Sequence, residues 1–470
     1  MSNIKYVIFS DLHLGAENSI LTNLVSNSVE TDDTQASEVL IKMVACLRDV
    51  VSKNTDTQKP VLVLNGDIVE LALTSTNKAS MAFERFIELV MPADGEALFD
   101  KNVLYLSGNH DHNLWERSRN HYYIQYLETL KAGDYIEDEI HCTKLFNSEI
   151  IPATFLGALF HRYAHLQDVN VTTVYPSHAL LSEDKQKCVI ISHGHYVESI
   201  YSLMTSLRSK IFPDRVNPLV MEELENENYA WVDFFWSTLG RSGSVGKDIN
   251  LIYDKLQDPA QVKILIKNIA ESFTENIKNK VMGWVEEKLL QELLTLTLGR
   301  MASNERNEPE VVLTPDATKG LKQFIELYIA NQIKQELNGY LPPNVSFVFG
   351  HTHKPYQQMY TYEGYANPVK VYNSGGWVVD TMKMQPLHGG SVILIDEHLD
   401  VLALQMYREG KLTVTVEDLK DTFEKNCPFY EHISSVINMQ AEPWVSFSAT
   451  VAKEIEQRYQ NLAQIAQSGN

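Results

Sequence analysis

Five short apolar runs rich in β-branched residues constrain the fold of this chain most strongly. They occupy residues 4–10, 61–65, 103–107, 188–192 and 345–349. Runs of this length and composition are typical of buried β-strands. Residues 35–53 and 78–91 lie between the first three runs, and their apolar residues recur at three- and four-residue spacing, which predicts helices. Strands alternating with helices indicate an α/β fold.

Each run ends at side chains that can bind a metal ion. These are Asp11 and His13, Asp67, Asn109 and His110, His193 and His195, and His351 and His353. Ligands in α/β sheets gather at the carboxyl ends of the strands, so we expect these side chains to converge. A mixed set of nitrogen and oxygen ligands suits manganese, iron or zinc better than calcium or magnesium. The set is too large for one ion with open positions, but it suits two ions that share a carboxylate.

The ordered motifs resemble those of the calcineurin-like metallophosphoesterases. They read Asp11-Leu12-His13, Gly66-Asp67, Gly108-Asn109-His110-Asp111, His193-Gly194-His195 and Gly350-His351-Thr352-His353. The resemblance implies a four-layer αββα sandwich and two divalent transition-metal ions, with manganese preferred and iron or zinc as alternatives. It also implies hydrolysis at phosphorus by a hydroxide that bridges the two ions. Each motif is weak alone, and the signal lies in all five occurring in order at predicted strand ends.

The resemblance also implies a role for each residue. Asp11, His13 and His353 would bind one ion, Asn109, His193 and His351 would bind the other, and Asp67 would bridge them. His110 would act on the phosphoryl oxygen or the leaving group. Glu70 would orient His110, although a glutamate stands here where protein phosphatases commonly have an aspartate.

Other polar residues near the motifs carry weaker expectations. Asp111 and His112 precede a helix, so Asp111 is either a helix cap or a support for the ligands. His195 either lines the site or flanks it, and His161, His165 and His178 are interpreted as structural. A phosphate usually needs a cation beside the metals, but the spacing of Arg117, Arg119, Arg162 and Lys354 selects none of them. The substrate-binding residues therefore stay unassigned.

The residues within and beside the motifs favour some substrates over others. The DLHL and GDIVEL phrases look closer to UDP-diacylglucosamine pyrophosphohydrolases and small diesterases than to protein phosphatases, whose GDxVDRG signature is absent. We therefore expect hydrolysis of a phosphodiester or pyrophosphate bond in a small substrate. Phosphomonoester or phosphoprotein hydrolysis is the first alternative. A catalytically silent scaffold that binds partners is the second, and a DNA nuclease is the third.

Charge and cysteine usage bear on partners and location. Lys and Arg total 40 against 61 Asp and Glu, a net charge of −21, which argues against general electrostatic binding of nucleic acid or anionic lipid. The four cysteines form no C-x-x-C pair, and the amino terminus lacks the pattern of a signal peptide. No apolar run approaches the roughly 20 residues that span a bilayer. These features predict a cytoplasmic protein.

The motifs divide the chain into four parts. We predict a core in two pieces, 1–198 and 343–410, a helical insertion over 199–342 and a helical extension over 411–470. Within the insertion, 262–298 has the apolar stripe of one long helix or two, 301–319 resembles a loop, and 321–337 is helical again. The insertion is interpreted as a cap over the site, with a dimerisation element and a lipid-binding surface as alternatives.

Overall fold

The computed structural model describes residues 2–26, 28–146, 150–233, 310–381, 383–419 and 427–468. The strands are β1 Ile4–Phe9, β2 Thr22–Leu24, β3 Thr31–Ala36, β4 Val61–Asn65, β5 Asn102–Leu106, β6 Ile151–Pro152, β7 Asn170–Val174, β8 Ser177–Leu181, β9 Lys187–Ser192, β10 Asn344–Phe349, β11 Tyr356–Tyr360, β12 Val369–Asn373, β13 Gly389–Asp396, β14 Val401–Arg408 and β15 Thr415–Glu417.

The helices lie between and after these strands. They are α1 Glu38–Val51, α2 Thr76–Val90, α3 His112–Thr129, α4 Thr154–Phe160, α5 Leu203–Ile211, α6 Met221–Val232, α7 Pro315–Gln323, α8 Ala330–Glu336, α9 Pro428–Val436 and α10 Trp444–Ser468. A π-helical segment, Phe324–Ile329, joins α7 to α8. Short 3₁₀ turns occupy Ala164–Leu166, His195–Val197 and Ser199–Ser202.

Two large sheets form the centre of the molecule. The first has the strand order β15-β14-β13-β1-β4-β5-β7-β6, and the second has the order β11-β12-β10-β9-β8. In the first sheet β1, β4, β5 and β7 run parallel. In the second sheet β9, β10 and β12 run parallel. The strands that precede the five motifs are therefore all members of parallel pairs, and their carboxyl ends can meet at one edge of each sheet.

The alternation of side chains along each strand explains the layers. Val7 and Phe9 face a core shared with α1, α2, α4, α9 and α10, whereas Ile8 between them faces a second core that joins the two sheets. Val348 faces that same inter-sheet core, and Phe347 faces a third core on the far side of the second sheet. The order of layers is therefore helix, sheet, sheet, helix, which agrees with the predicted αββα fold.

The described parts of the predicted insertion contribute to the outer helical layer on the second sheet. Leu203, Leu224 and Leu321 lie in one apolar cluster with Ile190 of β9 and Phe347 of β10. The predicted helix over 262–298 lies outside the described residues. The four-part division of the chain, the cap and an oligomer formed through the insertion stay predictions.

Some predicted boundaries differ from the structure. The loop predicted over 301–319 is wrong for its last residues, because α7 begins at Pro315. The hydroxyl of Thr314 accepts a hydrogen bond from the backbone N–H of Ala317, and proline is favoured in the first turn, so this start signal overrides the polar composition. The segment 411–470, predicted as a helical extension, also contributes β15 to the first sheet.

Among the described residues, no helix combines the length and the apolarity that crossing a membrane would require. The cytoplasmic location stays a prediction.

Candidate metal centre

The five motifs converge at the carboxyl ends of β1, β4, β5, β9 and β10. Five of the predicted ligands have backbone φ angles in the left-handed region, between 45° and 70°: Asp11, His13, Asp67, His351 and His353. Such a conformation costs a residue with a side chain about 1 kcal/mol or more. Backbone hydrogen bonds hold it, as from His13 N–H to the carbonyl of Asp67 at 2.9 Å. Strain of this kind concentrates at functional sites.

Asp11, His13 and His353 form one group of buried potential ligands. The Nε2 atoms of His13 and His353 lie 3.3 Å apart, and Oδ1 of Asp11 lies 3.5 Å from Nε2 of His353. The Asp11 carboxylate accepts the backbone N–H of His351 at 2.9–3.0 Å, which ties the first motif to the last. The three side chains can therefore direct one carboxylate and two imidazoles at a single ion.

Asp67, His193 and His351 form a second group, and Asn109 lies beside it. Nε2 of His193 is 3.1 Å from Oδ1 of Asn109 and 3.4 Å from Oδ2 of Asp67. The opposite ring nitrogen of His193, Nδ1, lies 3.2 Å from the carbonyl oxygen of Asn65. Donation from Nδ1 to that carbonyl leaves the Nε2 lone pair facing Asp67 and Asn109, as a metal ligand requires.

Asp67, a member of the second group, also lies close to His13 of the first. Its Oδ1 accepts the backbone N–H of His110 at 2.8 Å. Its Oδ2 is buried without a hydrogen-bond partner among the described groups, 3.7 Å from Nε2 of His13 and 3.4 Å from Nε2 of His193. A buried carboxylate oxygen without a donor is costly, and a cation would satisfy it. The donor set and this oxygen fit two ions bridged by Asp67.

The electrostatics of the metal-free protein show how strongly these groups interact. Burial alone would raise the pKa of the Asp67 carboxyl, but His193 and His110 hold it well below its usual range. Burial would lower the pKa of His193, but Asp67 and Asp11 raise it to about 9. The site therefore stabilises positive charge next to its carboxylates, and two divalent ions would supply that charge.

The Glu70 carboxylate contacts the imidazole rings of two histidines. Its Oε2 lies 2.9 Å from Nδ1 of His110 and 2.9 Å from Nδ1 of His13, and its Oε1 accepts the backbone N–H groups of Ala72 and Leu73 at 2.9 Å. Burial would raise the pKa of the Glu70 carboxyl, but His110 and His13 hold it well below its usual range. Since these contacts have hydrogen-bond lengths, Glu70 acts as an acceptor that directs Nε2 of both rings away from itself. The contact with His13 was not predicted from the sequence.

Asp111 holds two of the ligand loops together. Its carboxylate accepts backbone N–H groups of Ile68 at 2.9 Å, Gly108 at 2.7 Å and Asp67 at 3.2 Å. It makes no side-chain cap at the start of α3. Of the two alternatives, a helix cap or a support for the ligands, the structure favours the second, because the Asp111 side chain binds the backbone of the ligand loops.

His112 and His195 belong to a buried polar cluster with Glu225 of α6. The Glu225 carboxylate accepts hydrogen bonds from the hydroxyls of Tyr175 and Tyr196, and it lies 3.4 Å from Nε2 of His112. Tyr175 also lies 3.2 Å from Nε2 of His195. Burial and the neighbouring His193 lower the pKa of His195 well below its usual value, so that ring is neutral. Neither group of candidate ligands includes His195, so it flanks them.

Two further carboxylates contact the predicted ligands. Oε1 of Glu198 lies 2.6 Å from Nε2 of His351, and Oδ2 of Asp380 lies 2.6 Å from Nδ1 of His353. Neither belongs to a motif. A short-range sequence signal could not have identified them, because Glu198 and His351 are 153 positions apart.

The cations considered for substrate contact have other partners. Arg119 is paired with Glu116 and Glu139, and Arg162 is paired with Glu84. Arg117 lies over the ring of Phe155, and the ammonium of Lys354 donates to the carbonyl of Val311. The structure gives none of them a role in substrate binding. His161 and His165 contact backbone carbonyls through Nε2, as expected for structural residues.

The comparison with protein families agrees with this geometry. The sequence model described as "Calcineurin-like phosphoesterase" matches residues 4–217. These residues form a calcineurin-like phosphoesterase domain. A comparison with curated proteins found no match. His351 and His353 lie beyond the matched range, but β10 pairs with β9 and brings them to the histidines of the phosphoesterase domain. The family prediction is therefore confirmed for residues 4–217, and the site supports phosphoester hydrolysis with bound metal.

Proposed function

We propose that this phosphoesterase hydrolyses a phosphodiester or pyrophosphate bond of a small substrate at a two-metal centre, with manganese as the preferred ion and iron or zinc as alternatives. The observation that carries the proposal is the position of Asp67 Oδ2, buried between His13 and His193 with no hydrogen-bond donor among the described groups. A single ion would leave half of the converging ligands unused.

The seven predicted ligands divide between two ions. Asp11, His13 and His353 would hold one ion, Asn109, His193 and His351 would hold the other, and Asp67 would be shared. Bound ions of this kind lower the pKa of coordinated water and neutralise charge on phosphoryl oxygens. The protein positions them through the sharp turns after the strands and the carboxylates behind the histidines.

His110 is the proposed proton donor. Donation from Nδ1 of His110 to Glu70 directs Nε2 away from Glu70. A proton on Nε2 could pass to the departing oxygen of the substrate or stabilise charge on a phosphoryl oxygen, which typically contributes a factor of about 10²–10⁴ to the rate.

Three observations favour a small diester or pyrophosphate over the alternatives. Leu71, at the position of the arginine in the protein-phosphatase signature, is buried in the apolar core and supplies no cation for a dianionic monoester. The net charge of −21 would repel a long nucleic acid, which argues against a nuclease. The scaffold alternative is disfavoured because all seven predicted ligands are present together with His110.

A manganese-supplemented substrate panel tests the proposal. The purified full-length chain would be assayed with a generic phosphodiester, a generic phosphomonoester and a nucleoside pyrophosphate. We expect the diester or the pyrophosphate to be hydrolysed fastest. Preference for the monoester would favour the first alternative, and no hydrolysis of any substrate would favour the scaffold.

The substitution His110→Ala tests the proton donor. We expect turnover to fall about 10²–10⁴-fold with metal content unchanged, because His110 would act on substrate and not on the ions. His121→Ala is the matched control, since His121 is an exposed histidine of α3. Turnover by the His110→Ala protein equal to that of the control would exclude His110 from the mechanism.

A further inference from the structure

The last two histidines of the site are restrained through opposite ring nitrogens. His353 contacts Asp380 through Nδ1 at 2.6 Å, whereas His351 contacts Glu198 through Nε2 at 2.6 Å. Nε2 of His353 points at the first group, 3.5 Å from Asp11 Oδ1. Because a ring nitrogen that donates to a carboxylate cannot also bind a metal, His353 offers Nε2 and His351 offers Nδ1.

Both pairs are nearly closed to solvent. The side chains of His351 and His353 are 2% and 1% exposed, and those of Glu198 and Asp380 are 12% and 13% exposed. Hydrogen bonds to a charged acceptor are strengthened where water is excluded. Each carboxylate therefore orients its imidazole and makes the opposite nitrogen a stronger electron-pair donor.

The two carboxylates come from different parts of the fold. Asp380 follows Val379, whose backbone N–H donates to the carbonyl of Asn18 at 3.0 Å, so it is held by the core. Glu198 precedes the 3₁₀ turn Ser199–Ser202, which begins the predicted insertion. In that turn Tyr201 packs edge-on against the His351 ring, with centroids 5.2 Å apart.

The returning end of the predicted insertion also meets this turn. The backbone N–H of Ser199 donates to Oδ2 of Asp316 in α7 at 3.3 Å. Gly320 of α7 lies so close to Val197 that a Cβ at this position would collide with the Val197 carbonyl. The position of Glu198 therefore depends on both described ends of the predicted insertion, whereas the described backbone beside Asp380 is held by Asn18 of the predicted core.

We propose that Glu198 and Asp380 are positioning residues that set the affinities of the two metal positions separately. Asp380 acts on the position of Asp11, His13 and His353. Glu198 acts on the position of Asp67, His193 and His351, and links it to the start of the insertion. The inference rests on the proposed two-metal function, and its test is a metal-binding measurement that needs no substrate.

The test compares Glu198→Gln and Asp380→Asn in the full-length chain. Each substitution keeps the shape and an acceptor oxygen but removes the charge. After removal of metal with a chelator, each protein would be titrated with MnCl₂ and bound ions counted by equilibrium dialysis. We expect two ions for the unsubstituted protein, and one position weakened about 10–100-fold in each variant with the other unchanged.

A second readout assigns the weakened position. Crystals grown at a manganese concentration that half-fills the weakened position would be examined for anomalous scattering. Glu198→Gln should lose the peak beside His351 and keep the peak beside His353, and Asp380→Asn should do the reverse. Glu198→Asp should partly restore binding, since it returns the charge.

Controls separate this inference from other failures. Glu336→Gln is the matched control, because that carboxylate accepts the backbone N–H groups of Leu145 and Phe146 instead of an imidazole. Its two manganese affinities should equal those of the unsubstituted protein. Equal weakening of both positions by either test variant, or no weakening, would overturn the inference. Binding of fewer than two ions by the unsubstituted protein would instead overturn the proposed function.

Discussion

Replacing Glu70 by glutamine tests the logic of the site most directly. Its carboxylate receives four donors: the backbone N–H groups of Ala72 and Leu73 at Oε1, and Nδ1–H of His13 and His110 at Oε2. Glutamine has one carbonyl oxygen and one NH₂ group. If the oxygen keeps the two backbone donors, the NH₂ group faces the two histidines.

The Glu70→Gln substitution changes the tautomers of His13 and His110. An NH₂ group cannot accept a hydrogen bond, so Nδ1 of His13 and His110 must give up its proton and become an acceptor. A neutral imidazole then carries the proton on Nε2. For His13, Nε2 is the nitrogen that lies 3.3 Å from Nε2 of His353 and 3.7 Å from Asp67, so the substitution places a proton where a metal lone pair is needed.

The expected magnitudes come from these contacts. The two hydrogen bonds to the charged acceptor are worth about 1.5–3 kcal/mol each and are replaced by neutral ones worth about 1 kcal/mol each, so the free energy of unfolding of the metal-free protein should fall by about 1–4 kcal/mol. Manganese affinity at the position of Asp11, His13 and His353 should fall about 10–100-fold. Turnover should fall by at least the roughly 10² associated with loss of an oriented proton donor.

The assay combines equilibrium dialysis with MnCl₂, urea unfolding of the metal-free protein and turnover of the best substrate from the panel. Glu84→Gln is a matched control, because Glu84 is a buried glutamate of α2 that pairs with Arg162 outside the site. Its metal affinity and turnover should be unchanged. A Glu70→Gln protein that binds two ions normally and turns over at the control rate would refute the tautomer argument.

Three further predictions concern the shared ligand, the loops and pH. Asp67→Ala should abolish binding of both ions in equilibrium dialysis, and retention of one firmly bound ion would contradict the shared role of Asp67. Gly108→Ala should lower the free energy of unfolding by about 1–3 kcal/mol and reduce metal content, because the added Cβ would collide with the Asp67 carboxylate and backbone. An unchanged urea midpoint would contradict this prediction. Burial raises the pKa of Glu409 to about 7, so the folded protein retains a proton there that the unfolded chain loses near its ordinary value. The protonated carboxyl therefore contributes about 3 kcal/mol to the free energy of unfolding below about pH 4.5, and this contribution is lost as the pH rises to 7. In urea unfolding between pH 5 and 8, the Glu409→Gln protein should not show that loss.

Much of the sheet structure followed from local pattern. The runs at 61–65 and 188–192 became β4 and β9 within a residue, because a short apolar stretch of β-branched residues is stable only when buried in a sheet. Helix ends were less predictable. The helix predicted over 35–53 begins at Glu38, since Ser37 caps it and residues 31–36 form β3.

The predicted ligands were brought together, but their supports were not visible in the sequence. Asp11 follows β1 of the first sheet, and His353 follows β10 of the second sheet. The two residues come into contact because the two sheets pack against each other. That convergence is a property of the strand order, and the motif order along the chain could anticipate it. Glu198 and Asp380 belong to no motif, and each contacts a candidate ligand that is far from it along the chain.

The sequence by itself determined the strand ends, the ligand types and the family, because a strand's burial and a residue's donor atoms are local properties. The tertiary structure decided which nitrogen of each histidine faces the site, that Glu70 serves His13 as well as His110, and that Asp67 Oδ2 lies between two ligand groups. Those outcomes depend on distances between atoms far apart along the chain, and such distances exist only once both sheets have packed together.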